Sequence, residues 1–221
     1  MSERLNPPDT TRFRPLDGAH LRQLPEGMLV GRIHCQGGAY PDRWNEFRNF
    51  GPTTSRFDHP PPPAGFHRDR GVLYVAPRIN GKGPVLRTCI AECFRDRGNV
   101  ELTRDAPHFV LFRLARPLRL LDLAYSDWVS LADGNAAISS DPRDVCRDWA
   151  RTIREHYRGA DAVDGMFYTC SNIPSERTAV LWERATSAVP AKPALHLPLT
   201  SADLRAELEM YTNDLHLGLI P

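Results

Sequence analysis

Apolar positions along this chain recur with two periods. Residues 28–35 (Met-Leu-Val-Gly-Arg-Ile-His-Cys) read as a first strand with Arg32 inside it. Residues 72–76 form a second, bounded by Gly71 and Pro77. Leu73 and Val75 face one side there, and Tyr74 shares the other with Val72 and Ala76. Residues 108–115, 118–123, 166–170 and 195–199 read as further strands, and 178–182 as a strand or a short helix. Helical spacing takes over at 84–96, where Pro84 suits a first turn and Val85, Leu86, Cys89, Ile90, Cys93 and Phe94 make an apolar stripe. Glu92 falls on the edge of that stripe, beside Val85 and Cys89. A second helix opens at Asp141-Pro142 and runs to about 158, with Val145, Trp149, Ile153 and Tyr157 on one face and Gly159 as its stop. A last helix, capped by Thr200 or Ser201, aligns Leu204, Leu208, Tyr211 and Leu215.

Six to eight strands and three main helices, without regular alternation, predict an α+β fold. Residues 1–27 carry prolines and mixed charge with no period, and read as a lead-in that is partly ordered at most. Residues 28–221 are then a single domain, long enough to bury a core without disulfides or metals. Between the first two strands lie an aromatic, turn-rich segment at 40–52 and the short extended piece Ser55-Arg56-Phe57-Asp58. His59 and four prolines, Pro60 to Pro63, follow as a stiff connection.

Composition narrows the function classes. The 28 basic and 27 acidic residues leave a net charge of +1, which gives no bulk attraction to nucleic acid or to an anionic membrane. No apolar run approaches a membrane span and no signal peptide opens the chain. The five cysteines include no CxxC pair, and the histidines show no zinc spacing, so no metal is expected. Reduced thiols without an export signal place the protein in the cytoplasm. There is no GxGxxG segment and no P-loop, so a nucleotide would be held by another device.

An ordered set of short motifs is more specific. Gly31-Arg32-Ile33-His34, residues 44–52 (Trp-Asn-Glu-Phe-Arg-Asn-Phe-Gly-Pro), Ser55-Arg56-Phe57-Asp58, Leu73-Tyr74-Val75-Ala76, Ala91-Glu92-Cys93-Phe94 and Tyr168-Thr169-Cys170-Ser171 occur in sequence. Leu120-Leu121-Asp122-Leu123, Trp149-Ala150 and Trp182-Glu183-Arg184-Ala185 follow the same pattern. The series resembles the RES-domain family, named for its Arg, Glu and Ser residues, over about residues 28–186. The resemblance implies a mixed, mostly antiparallel sheet like that of ADP-ribosyltransferase toxins. It further implies NAD as substrate, cleaved by hydrolysis or phosphorolysis, and a toxin partnered by an Xre-type antitoxin. The oligomeric state stays open, with a homodimer among the options. Arg56, Tyr74, Glu92 and Ser171 match the family's arginine, tyrosine, glutamate and serine, and Arg32 matches a further arginine. Ile33 stands where some relatives carry a tyrosine.

These residue types suit the implied chemistry. Nicotinamide leaves NAD as a neutral ring, so no general acid is required, unlike ordinary glycoside hydrolysis. One carboxylate, Glu92, can stabilise the oxocarbenium-like ribose. Arg56, joined by Arg32, offers a fork for the pyrophosphate. Tyr74 can stack on nicotinamide, and Ser171 can position nicotinamide or ribose. Transfer of ADP-ribose to a protein, or plain binding without catalysis, fits the same residues. Singly, each also has an ordinary structural reading. Arg56 can pair with Asp58 or Asp69, Tyr74 can be a core aromatic, Glu92 a solvated helix edge and Ser171 a turn residue.

Overall fold

The computed structural model describes residues 4–79, 85–140 and 142–221. The expected helix start at Pro84, the Asp141 cap and the Gly81-Lys82-Gly83 stretch lie outside them. In chain order the strands are β1 (Leu21–Leu24), β2 (Leu29–Cys35), β3 (Phe50–Gly51), β4 (Gly65–Phe66) and β5 (Val72–Pro77). After helix α1 (Val85–Phe94) come β6 (Asn99–Glu101), β7 (Pro107–Arg113) and β8 (Leu118–Asp122). Helices α2 (Trp128–Leu131) and α3 (Arg143–His156) precede β9 (Gly165–Thr169), β10 (Arg177–Trp182) and β11 (Leu195–Pro198). Helix α4 (Ala202–Asp214) and β12 (Gly218–Ile220) close the chain.

Eight of the described strands form one sheet in the order β1-β8-β9-β10-β5-β2-β7-β11. Its neighbours are antiparallel except β8 and β9. The fold is therefore α+β, as the patterning predicts, with the mixed, mostly antiparallel sheet that the resemblance implies. The ambiguous segment 178–182 is a strand because Val180 and Leu181 pair with Tyr74 and Leu73 in the middle of the sheet. All its apolar residues are buried on one face or the other, a setting that favours a pleated backbone.

Alternation along β5 separates the cores. Val72 and Tyr74 pack with Trp149, Ile153 and Tyr168 under α3, while Leu73 and Val75 pack on the opposite face with Phe112, Leu120 and Leu181. Toward the end of β5, Ala76 joins Ile33, Leu86, Ile90 and Leu208, the core beneath α1 and α4. The two helix-covered cores thus sit side by side on the sheet, leaving a cleft between α1 and α3. Gly31 sets how deep α1 lies: a β-carbon there would stand 2.6 Å from Val85 Cγ1 and 2.9 Å from Leu111 Cδ2. Hydrogen there lets the helix lie close against β2.

The first segment departs from expectation. From residue 4 onward it is woven into the fold rather than a loose lead-in. β1 pairs with β8 at the sheet edge. Leu5 and Phe13 are buried, and Phe13 meets Trp128 edge-to-face and stacks on Trp149 and Tyr157. Trp149 Nε1 donates to Asn6 O at 2.7 Å, and the Tyr157 hydroxyl donates to Arg14 O at 2.9 Å. Every one of these partners is distant in sequence, so no local period announces the segment.

Candidate active site

The cleft holds a cavity of about 570 Å³, lined by Arg32, Arg56, Tyr74, Glu92 and Ser171 among others. That volume lies within the usual range for small-molecule sites. These five residues come from five separate elements: β2, the loop before the proline run, β5, α1 and the turn after β9. All five residues singled out from the sequence therefore reach one space.

Tyr74 fixes the loop that carries Arg56. Its phenolic oxygen accepts from the backbone N–H of Phe57 at 3.2 Å. Burial, then the charge of Asp58, pushes the phenol well above its ordinary range, so it stays a neutral hydroxyl. The loop is locked from its other side by Asp58, which is fully buried. Asp58 accepts from Arg48 Nη2 at 2.8 Å, from the Thr53 hydroxyl at 2.8 Å and from the Thr53 backbone N–H. Arg48 thus takes the partner that Arg56 had as its ordinary reading. Arg56 turns instead toward α3, with Nη1 at 3.6 Å from Cys146 Sγ. It also lies within electrostatic reach of Glu92, whose charged form it favours.

Glu92 presents its carboxyl to the open cavity, yet the cavity walls surround it. Desolvation by those walls raises the carboxyl above the usual glutamate range, while Cys170 and then Arg56 act in the opposite direction. Cys170, next to Ser171, is buried. It also interacts with Glu92: burial and then the neighbouring carboxylate push its thiol up to about 12. The turn after β9 is bound to α1 through Asn172, whose side-chain amide donates to Ala91 O at 3.0 Å. That bond joins the residue after Ser171 to the residue before Glu92.

Arg32 lines the cavity but is already engaged. Its guanidinium pairs with Asp42 at 2.5 Å and donates to Trp44 O at 3.2 Å. Asp42 also accepts from the Cys35 backbone N–H at 2.9 Å and faces His34 at 3.6 Å. This knot closes the 36–46 loop over β2. Asp42, Arg97 and Arg143 are further charged lining residues that sequence reasoning missed. Nothing in their spacing distinguishes them from surface charges. Cys93, expected in the apolar stripe of α1, faces the cavity instead.

The proline-rich connection lies elsewhere. None of the described residues 60–70 lines the cavity. The segment is anchored to α3 by Arg70–Glu155 at 2.7 Å and by Arg154, which donates to Asp69 O at 2.5 Å and pairs with Glu183. Among the described residues, no group of three or more His, Cys, Asp or Glu is arranged to hold a metal ion. No helix among them is long and apolar enough to cross a membrane.

No family model and no curated protein matches the chain. Among solved structures, it is similar to a chain of the crystal structure of the M. tuberculosis MbcT-MbcA toxin-antitoxin complex. The TM-score is 0.57 at 12% sequence identity, covering 91% of this chain and 98% of the other. At that identity the likeness establishes a shared fold.

Proposed function

We propose that this protein is a RES-like enzyme that binds NAD in the α1–α3 cleft and breaks its nicotinamide–ribose bond. The observation that carries the reading is the convergence of Arg56, Tyr74, Glu92 and Ser171, from four distant segments, on one cavity. The electron pair of the glycosidic bond leaves with the nicotinamide nitrogen, which becomes neutral. The carbon left behind is oxocarbenium-like, and Glu92 is the carboxylate that stabilises it. Arg56 holds phosphate oxygens, Tyr74 stacks on nicotinamide and Ser171 positions nicotinamide or ribose. Water adding to the carbon gives ADP-ribose and releases a proton; inorganic phosphate gives ADP-ribose 1″-phosphate instead. Transfer to a protein side chain is the second reading of the same cavity.

A toxin role in the cytoplasm, restrained by an antitoxin of Xre type, follows from the same reading. The fold likeness to a chain of a toxin–antitoxin complex supports it. The test is nicotinamide release by purified protein, with and without phosphate, in wild type and Glu92→Gln. Release by the wild type and its loss in the variant is the expected result, and phosphate dependence names the acceptor. An inert wild type, together with ADP-ribosylated proteins in a lysate, would favour the transferase reading.

A further inference from the structure

Two arginines reach the cleft along the α3 wall. Arg143 is the first residue of α3, and Cys146 lies three residues further on, so their side chains share a face of the helix. Arg56 Nη1 stands 3.6 Å from Cys146 Sγ, and Arg56 and Arg143 both line the cavity. The loop bearing Arg56 is fastened to the same stretch of α3, because Arg147 Nη1 donates to Thr53 O at 2.9 Å. On the other wall, Asp96 follows the end of α1 by two residues, lines the cavity and forms an ion pair with Arg143. That pair joins the two walls of the cleft. Burial dominates the Glu92 carboxyl, but Arg56, Asp96 and Arg143 all act on it as well, so the three charges surround the reacting carboxylate.

The arginines of the cavity differ in how they are held. Arg48 pairs with Asp58, which is fully buried, and the Arg32 side chain is 13% exposed against Asp42. The Arg143 and Asp96 side chains are 43% and 64% exposed. An ion pair so open to water is weak and exchanges its partner at little cost. A cation in the first turn also opposes the helix macrodipole, so Arg143 does not serve α3 itself. A dinucleotide carries two adjacent phosphates, and one guanidinium fork matches the oxygens of one of them.

We infer that Arg143 is a second phosphate-binding residue of the cleft, on the same wall as Arg56, and that Asp96 competes with phosphate for its fork. The inference rests on the reading of the cleft as a dinucleotide site. It gives the two phosphates of NAD one arginine each, and it makes the Asp96–Arg143 pair the contact that a dinucleotide must open.

The test measures dissociation constants of ADP-ribose and of adenosine by NMR titration of the full chain, in wild type, Arg143→Met, Arg143→Lys and Asp96→Asn. Arg143→Met should weaken ADP-ribose binding about tenfold and leave adenosine binding unchanged. Arg143→Lys keeps the charge without the fork and should fall between the two. Asp96→Asn should tighten ADP-ribose binding about twofold to fivefold, because phosphate no longer displaces a carboxylate. The opposite signs are decisive, since a pair that only fastened α1 to α3 would weaken binding when either partner is lost. Equal weakening in Arg143→Met and Asp96→Asn overturns the inference, as does an ADP-ribose affinity unmoved in Arg143→Met. Nicotinamide release by the wild type is read separately. A wild type that binds ADP-ribose without cleaving NAD counts against the proposed reaction, while the variants still decide the phosphate contact.

Discussion

Tyr74 in the middle of β5 receives the backbone N–H of Phe57 at 3.2 Å, and so couples the centre of the sheet to the loop bearing Arg56. An aromatic ring that could have been only core is thereby also a latch. Removing the hydroxyl should act on two quantities. Tyr74→Phe leaves a partly buried N–H without its acceptor, which costs about 1 kcal/mol or somewhat more of stability. It should also raise KM for NAD, because Arg56 loses its fixed approach. Urea midpoints and initial rates measure the two effects; a change in neither would mean that Arg56 is held by α3 alone.

Glu92→Gln should cut nicotinamide release about a hundredfold or more. The same change should stabilise the protein at neutral pH. The folded carboxyl lies above its ordinary value of 4.5, so the folded state binds more protons than the unfolded state between the two values. The stability that Glu92 contributes is thus present below 4.5 and is lost as pH rises through the folded value. The variant should melt above wild type at pH 7, and this advantage should vanish in acid. Thermal melts across pH decide it; an advantage independent of pH would remove desolvation as the cause.

Arg32 and Arg56 should separate by phenotype. Arg32 is engaged by Asp42 and the Trp44 carbonyl, and its loss leaves Asp42 without that counter-charge. Arg32→Met should therefore cost about 1–3 kcal/mol of stability and change KM modestly. Arg56→Met should raise KM for NAD about tenfold or more. The reverse pattern would mean that substrate phosphates displace Asp42 from Arg32.

His59 should make the protein acid-sensitive. It is fully buried, and desolvation lowers its value from 6.5 to about 2, helped by the positive charges of Arg154, Arg70, Arg48 and Arg184. Glu183 is its nearest carboxylate, at 3.8 Å. The unfolded chain takes up this proton below 6.5 and the folded one does not, so stability is lost progressively as pH falls from 6.5 toward 2. Replacing His59 with Asn removes that proton uptake. The stability gap between wild type and variant should narrow as pH falls below 6.5, in urea titrations at a series of pH values. A constant gap would show that the ring is protonated in the folded state.

What the sequence determines here is local. Near-continuous apolar runs marked β2, β5 and β7, because a sheet buried on both faces needs apolar residues at almost every step. Helical spacing marked α1 and α3, since Leu86 and Ile90, or Trp149 and Ile153, must share a buried face. The order of short motifs named the five residues that meet at the cavity. Tertiary structure decided the rest, because each remaining feature joins segments far apart in the chain. The anchoring of residues 4–24, through buried Leu5, Phe13 and Leu24 among others, depends on partners such as Trp149 and Leu121. The pairing of Arg48, rather than Arg56, with Asp58 depends on how one loop closes. The tie between the turn bearing Ser171 and α1 depends on Asn172 reaching Ala91 O. A periodic pattern records which face of an element avoids water; it carries no information on which distant polar group that element will meet.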